Sequence, residues 1–432
     1  MEDAKTDIKP DIKQSDEWQK AVAYEILDSD IERQRKLIGH WEPMKSAEYV
    51  QTASEDSIRN WAYGCGDDNP LFTDPSYARK TRWGGVIAPG MMVGQINRPM
   101  KGDPVPDEVR ALKKSLFKGI HVFVSGSEFR FYRPVRPGDT IYSYGGDLTC
   151  EVKQSEFAGR SVIITSRRVK VNQRAEVVAT YDMLRVLTER KTAVKKGKYS
   201  AIQPASYTDE EWQAIEDAYA AEAVQGAEKR WFEDVNAGDV LGLQVKGPLT
   251  VTDVICFHAA GYGFTPYAPT ANRRAHKNRQ RIPAFYVKNE HGIPDVAQRL
   301  HWDPVWSQAI GNPMAYDYGV MRENFLWQYL NDWAGDDGIV VRVHDEIRKF
   351  NYMGDVQRVT GEVLSKRVEN GQNLVEVAVR FTNQRGEETV RSTATIALPS
   401  KERSLPLYPE VPADLAETAA RMMARHWELG GE

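Results

Sequence analysis

The segment TDPSYARKTRWGGVIAPG, beginning at Thr73, can be laid on WDPVWSQAIGNPMAYDYG, beginning at Trp302. Asp74 to Gly90 is 16 positions, and Asp303 to Gly319 is also 16, at a constant offset of 229. Pro75 then falls on Pro304, and Phe72 on His301. Further on, RFYRPVRPGDT is echoed by RKFNYMGDV, with Gly138-Asp139 facing Gly354-Asp355. The repeat predicts a duplicated chain, because two copies of one unit can pair their sheet edges and bury their apolar faces together. Duplication also lets one cleft keep chemistry while its twin drifts toward packing, which is consistent with the unequal pair Phe72/His301.

The length, 432 residues, exceeds one ordinary core and suits two such units. Residues 1–15 read as a mobile tail, and 17–36 as a helix from their apolar spacing. Ser54 opens a short capped helix, and Asp74-Pro75 and Asp303-Pro304 each pair a capping acid with a proline suited to the first helical position. APGMMVGQINRP (88–99) is apolar enough for a buried helix ending before Pro99. Four strand-like runs with polar turns follow between 121 and 190, and four more between 339 and 397. GVMRENFLWQYLNDW (319–333) has the spacing of a buried central helix. The expected domains are 1–190, a basic linker 191–206, 207–400 with an insertion at 265–300, and a helical extension 401–432. The fold class is α+β.

Composition removes several functions. A net charge of -4 and a pI near 6.1 offer no global attraction to nucleic acid. No apolar run approaches the ~20 residues that span a bilayer, and mean hydropathy is -0.54. The opening MEDAKTDIKPDIKQSDEW lacks an apolar signal core, so a cytoplasmic protein is expected. Cys65, Cys150 and Cys256 are scattered and odd in number, as reduced and mostly buried thiols would be. There is no HExxH, CxxC, GxGxxG or P-loop, so no metal, nicotinamide or nucleoside triphosphate is indicated.

The stretch GCGDDNPLFTDPSYA (64–78) carries more chemistry than a plain loop requires. It resembles the MaoC-like acyl dehydratases, the (R)-specific enoyl-CoA hydratases with a double hotdog fold. Their signature is Gly-Asp-x-Asn-Pro-Leu-His-x-Asp, followed by a small helix and Ala-His-Gly. In the first copy Asp67, Asn69 and Asp74 match, Phe72 replaces the histidine, and APG at 88–90 replaces Ala-His-Gly. In the second copy, LHWD keeps His301 and Asp303, and DYG stands at 317–319. Val296 occupies the acid position and Gln298 the asparagine position, with Asp295 one residue out of register. The resemblance covers nearly 50–400 and implies two antiparallel sheets, each wrapped around a central helix.

It also implies reversible addition of water to a trans-2-enoyl thioester, with coenzyme A as part of the substrate and no other cofactor. Such chemistry needs a base, an acid and a donor for the developing oxyanion. His301 is the first proton-transfer candidate, against a histidine hydrogen-bonded for packing. His258 could supply the second group, or be a satisfied core residue. Asp295 is the candidate acid partner, and Asp67 either a catalyst or, with Asn69, part of a turn. Gly90 and Gly319 admit a thioester carbonyl or a tight helix contact. Trp302, with Trp306 and Trp327, could shape an acyl pocket or belong to the core. In the basic run 272–281, Arg273, Arg274 and Lys277 could meet the phosphates of coenzyme A or face solvent. A thioester hydrolase and a non-catalytic acyl-CoA-binding protein remain the alternatives, and a homodimer of pseudo-dimeric chains is the expected assembly.

Overall fold

The computed structural model describes residues 25–155, 159–189, 202–263, 273–310, 312–402 and 405–431. The expected tail, most of the linker and part of the insertion lie outside them. The first half contributes β1 (Glu42–Pro43), β2 (His121–Phe131), β3 (Ile141–Ser155), β4 (Gly159–Asn172) and β5 (Val177–Thr188). The second contributes β6 (Val240–Lys246), β9 (Ile339–Ile347), β10 (Gln357–Glu369), β11 (Gln372–Asn383) and β12 (Glu388–Ala397). A separate hairpin in the insertion pairs β7 (Tyr286–Lys288) with β8 (Pro294–Val296). All ten main strands form one antiparallel sheet in the order β1-β3-β4-β5-β2-β9-β12-β11-β10-β6.

The two sheets meet edge to edge at β2 and β9, where Gly126 to Arg130 pair with Glu346 to Arg342. Joining these edges gives both strands backbone partners and removes two aggregation-prone borders. Gly126 is needed there, since a Cβ would lie 2.2 Å from the Asp345 carbonyl oxygen. On the outer side, Arg342 Nε and Nη2 donate to Glu128 Oε2 at 3.1 and 2.8 Å.

The central helix of the second half runs Gly319–Ala334 and is buried along nearly its whole length. Among the described residues the first half has no equal. Its expected helix over 88–99 is a short 3-10 segment, Gly90–Gln95, preceded by Pro89 and containing Gly94. Glycine and proline explain part of this; the rest is occupancy. A Cβ on Gly90 would sit 2.5 Å from Trp327 Nε1, so the second-half helix has taken the space. Buried Lys170 holds the end of the short segment, donating Nζ hydrogen bonds to Gly94 O at 3.2 Å and Ile96 O at 3.0 Å.

Helices from the chain ends cover the outside of the first sheet. The N-terminal one is described over Asp28–Lys36, the part of the expected helix before residue 25 lying outside the described residues, and Ile31 joins a small core with Val162, Ile164 and Leu187. The C-terminal helix, Ala413–Glu428, packs Ala419 and Met423 against Tyr142, Tyr144, Val169 and Val171. His426 Nδ1 accepts the Lys101 backbone N–H at 2.8 Å. Cys65 and Cys150 are buried, whereas Cys256 is exposed. Among the described residues no helix is long and apolar enough to cross a membrane.

Beneath the seam, Ser127 Oγ donates to Asp345 Oδ1 at 2.5 Å, and Glu323 of the central helix lies beside them. Both carboxyls are buried, with Glu323 Oε1 and Asp345 Oδ2 lacking a hydrogen-bond partner among the described residues. Burial raises both pKa values above the ordinary carboxylate range, and the charge of Asp345 pushes Glu323 further. The folded state therefore holds protons that the unfolded chain releases, so this contribution to stability is present at low pH and is lost as pH rises through the raised values. We expect Glu323→Gln to melt at a higher temperature than the parent at pH 9, with the difference closing toward pH 5. A gap that does not change with pH contradicts this assignment.

Candidate active site

Equivalent loops of the two halves have diverged in opposite directions. In the first half, Asn69 caps its turn by accepting the Leu71 N–H at 2.9 Å, and Asp67 accepts the Asn69 N–H at 3.0 Å. Asp74 caps the next turn through Ser76 N at 2.7 Å. Phe72 is buried, its ring 5.8 Å from that of Trp327. Trp327, against which Phe72 packs, thus occupies the space beside Gly90 together with Phe131.

Asp67 remains unusual. Burial lifts its pKa to about 7, and the nearby Asp332 carboxylate adds to the shift. Asp332 accepts Gln244 Nε2 at 2.8 Å, while Lys246 Nζ reaches Gln328 Oε1 at 2.8 Å. Gln328 Nε2 in turn donates to Gly66 O at 3.2 Å, tying the Asp67 loop to the central helix. These bonds make a polar bracket between halves, with Asp67 as a buried acid that has no histidine at the matching position.

The second half assembles a different group. Its helix Val251–Ala259 is capped by Thr250 and carries His258 in the last turn. His301 ends a 3-10 turn, Ala297–His301, and Asp303 caps the following helix through Trp306 N at 2.9 Å. Tyr318 is the N-cap residue of the central helix. The three converge: Tyr318 lies with its ring 3.8 Å from that of His301, and its hydroxyl is 3.0 Å from His258 Nε2.

Hydrogen bonds set the tautomers. His301 Nδ1 is 2.8 Å from the Tyr316 carbonyl oxygen, which can only accept, so Nδ1 carries the proton and Nε2 the lone pair. His258 Nδ1 is 3.2 Å from the Tyr262 carbonyl, so its Nε2 accepts from the Tyr318 hydroxyl. Burial lowers the pKa of His301 to about 4, and the neighbouring His258 works in the same direction. His258 is lowered as well, chiefly by burial. Both imidazoles are therefore neutral at pH 7.

Asp317 locks the turn that carries Tyr316 and Tyr318. It is fully buried, paired with Arg322 Nε at 3.0 Å and with Asn351 Nδ2 at 2.9 Å. Arg322 also donates to Lys349 O at 2.7 Å. The Gly319 N–H begins a 16-residue helix, the positive end of its dipole. A Cβ on Gly319 would meet only the end of the Ile347 side chain, at 2.7 Å.

Of the sequence candidates, the structure brings His301, His258 and Trp302 together; the Trp302 ring stands edge-on 5.8 Å from His258. Asp295 lies on β8, where its carboxylate accepts the Val296 N–H at 2.7 Å. No hydrogen bond among the described residues joins Asp295 to either histidine. Arg273, Arg274 and Lys277 share the exposed face of the helix Arg273–Arg281, whose other face buries Ala275 and Asn278. Tyr318, Tyr316 and Tyr262 were missed as functional residues. The signal for Tyr318 was available, because DYG falls on APG at the repeat offset, but nothing in that spacing shows its contact with His258.

Comparisons with known proteins follow this geometry. Residues 37–181 match the family model described as FAS1-like, dehydratase domain region. A probable enoyl-CoA hydratase alpha subunit of Thermomonospora curvata is 32% identical over 158 residues, which cover 34% of this chain and 49% of that protein. A UPF0336 protein of Streptomyces avermitilis is 35% identical over 86 residues, covering 20% of this chain and 54% of its own. The chain thus spans about half the length of these curated relatives. Among solved structures, a MaoC-like dehydratase superposes with a TM-score of 0.54 at 16% identity, over 84% of this chain and 99% of the other.

With His301 as the base, kcat/KM for any proton-transfer reaction should stay level from pH 8 down to pH 6, since the imidazole is neutral until about 4. The same residue links to stability: the unfolded chain takes up its proton near the ordinary value of 6.5, so its contribution is full above that pH and is lost as pH falls toward about 4. An acid limb centred at 6.5 in the pH–rate profile contradicts the assignment.

Proposed function

We propose that the chain is a MaoC-like dehydratase, a reading supported by the match of residues 37–181, the partial likeness to an enoyl-CoA hydratase subunit and the shared fold, and that it hydrates a 2-enoyl-CoA, and dehydrates the 3-hydroxyacyl-CoA, in its second half. The observation that supports this most is the convergence of a neutral His301 with the Tyr318–His258 pair at the start of the central helix. In the hydration direction His301 Nε2 takes a proton from water as its oxygen bonds the β-carbon. Negative charge gathers on the thioester oxygen, where the Gly319 N–H and the helix dipole oppose it. The Tyr318 hydroxyl gives its proton to the α-carbon, and the resulting phenolate is neutralised by the proton held on His301. One water is consumed, and no net charge remains on the protein.

His258 acts by orienting Tyr318, with Trp302 packed against its ring. Asp67 has no place in this sequence of steps, since its carboxyl belongs to the bracket of the first half. Asp295 has none either, since it holds its own hairpin. The basic helix is the candidate seat for the coenzyme A phosphates. Arg274 is close enough to Tyr49 for its charge to act on the phenol, and the neighbouring Val50 lies against Gly261, in the turn after His258. A homodimer belongs to the same reading, favoured by exposed Val240, Leu243, Leu364 and Val368 on the β6–β10 border.

The test is a panel of trans-2-enoyl-CoA esters, with enoyl absorbance and thiol release followed together. Loss of the enoyl band without free thiol is the expected result, and thiol release instead identifies a hydrolase. His301→Ala should leave the fold intact and lower turnover at least ~100-fold, and His301→Phe, which copies the first half, should be silent too. Parental turnover in His301→Ala removes this residue from the mechanism. Replacing Arg273, Arg274 and Lys277 together by alanine should raise KM about tenfold at unchanged kcat; an unchanged KM places the phosphates elsewhere.

A further inference from the structure

The leading end of β2 carries three consecutive apolar residues that no core requires. Val122, Phe123 and Val124 are 48%, 37% and 42% exposed. Consecutive strand residues point to opposite faces, so a run of this kind shows apolar surface on both sides. The register explains the exposure. β2 pairs with β5 from His121 onward, but its pairing with β9 begins only at Gly126, after an irregularity between Val124 and Gly126. Residues 122–124 therefore overhang the seam, beyond the point where the chain after β9 turns away through the bond from Arg348 N to Thr389 O.

That overhang is continuous with the active site. The Phe123 ring stands 6.5 Å from Phe350, and Phe350 stands 4.6 Å from Tyr316. Tyr316 is 4.9 Å from His301 and supplies the carbonyl that fixes its tautomer. A row of aromatic rings thus leads from the proton-transfer group outward, with apolar surface at its far end and polar chemistry only at its start. Scattered exposed apolar side chains are ordinary on protein surfaces, whereas a contiguous strip ending at a reacting group marks a binding surface.

We infer that the strip Tyr316–Phe350–Phe123, extended by Val122 and Val124, binds the hydrocarbon part of the acyl group, so that the substrates are long or bulky apolar acyl thioesters rather than short ones. The inference rests on the proposed function for its thioester. It assigns selectivity to the first half and chemistry to the second, because Phe123 comes from β2 while His301, Tyr316 and Phe350 come from the later copy. A short acyl group ends at Tyr316; six further methylenes reach along the next rings.

Binding separates this proposal from the hydration reading, since saturated thioesters have no double bond to hydrate. Titration calorimetry with butyryl-CoA and decanoyl-CoA should show the longer ester bound at least ~10-fold more tightly, a small share of what full burial of six methylenes allows. Phe123→Ser should weaken decanoyl-CoA about fivefold and leave butyryl-CoA unchanged, with Val124→Ser as a second variant if the first melts early. Equal affinity for the two esters, or an equal loss for both in the variants, overturns the strip while leaving hydration of trans-2-butenoyl-CoA to stand on its own assay. Failure to bind either ester overturns both readings together. A dimer that dissociates in Phe123→Ser on sedimentation, with decanoyl-CoA affinity unchanged, assigns the strip to a second copy of the chain and overturns the proposal.

Discussion

Pairing between β2 and β9 is the constraint from which the rest of the molecule follows. It turns two five-stranded sheets into one and sets both halves at a fixed register. With the sheets locked, the apolar space on their inner face is shared, and the helix Gly319–Ala334 can serve both copies. The same seam brings Ser127 opposite Asp345 and over Glu323, an arrangement that costs stability unless the acids keep a proton. It also leaves the first residues of β2 projecting past the end of the second sheet.

Sharing the space made the halves unequal. Trp327 enters the first copy, abuts Gly90 and meets Phe72, so the short 3-10 segment there has no room to become a full helix. The Asp67 loop keeps its turn and its acid but lacks an open cleft with a base. The second copy kept the imidazole and built a new neighbourhood around it from Tyr318, His258 and Trp302. Loss in one copy and change in the other are two consequences of one packing decision.

Protonation in this site is governed by burial more than by charge. His301 and His258 are neutral because desolvation penalises the imidazolium, and carbonyl oxygens at Nδ1 then dictate which nitrogen is basic. The Arg322–Asp317 pair supplies rigidity. It holds the turn whose two flanking tyrosines orient one histidine through a carbonyl and the other through a hydroxyl.

Repeats and short-range capping are legible in one dimension, because they depend on spacing along a chain. The offset between Asp74 and Asp303, the strand runs, the central helix and the pairing of His301 with Phe72 could all be read from the residues, and they determined a duplicated α+β double hotdog with one altered loop in each copy. Contacts across the fold could not be read that way. The sequence leaves Gly90 as room for a carbonyl or as a tight helix contact, and Trp327, 237 positions later, makes it the contact. Asp295 is the acid nearest the expected position, one residue out of register, and on β8 its carboxylate bonds the Val296 N–H. Tyr318 stands in the DYG that falls on APG, but only the convergence of three separate segments brings it against His258 and His301. Tertiary structure alone decided where Trp327 packs and which side chains gather at His301, since both depend on distances in space between residues whose separation in sequence carries no such information.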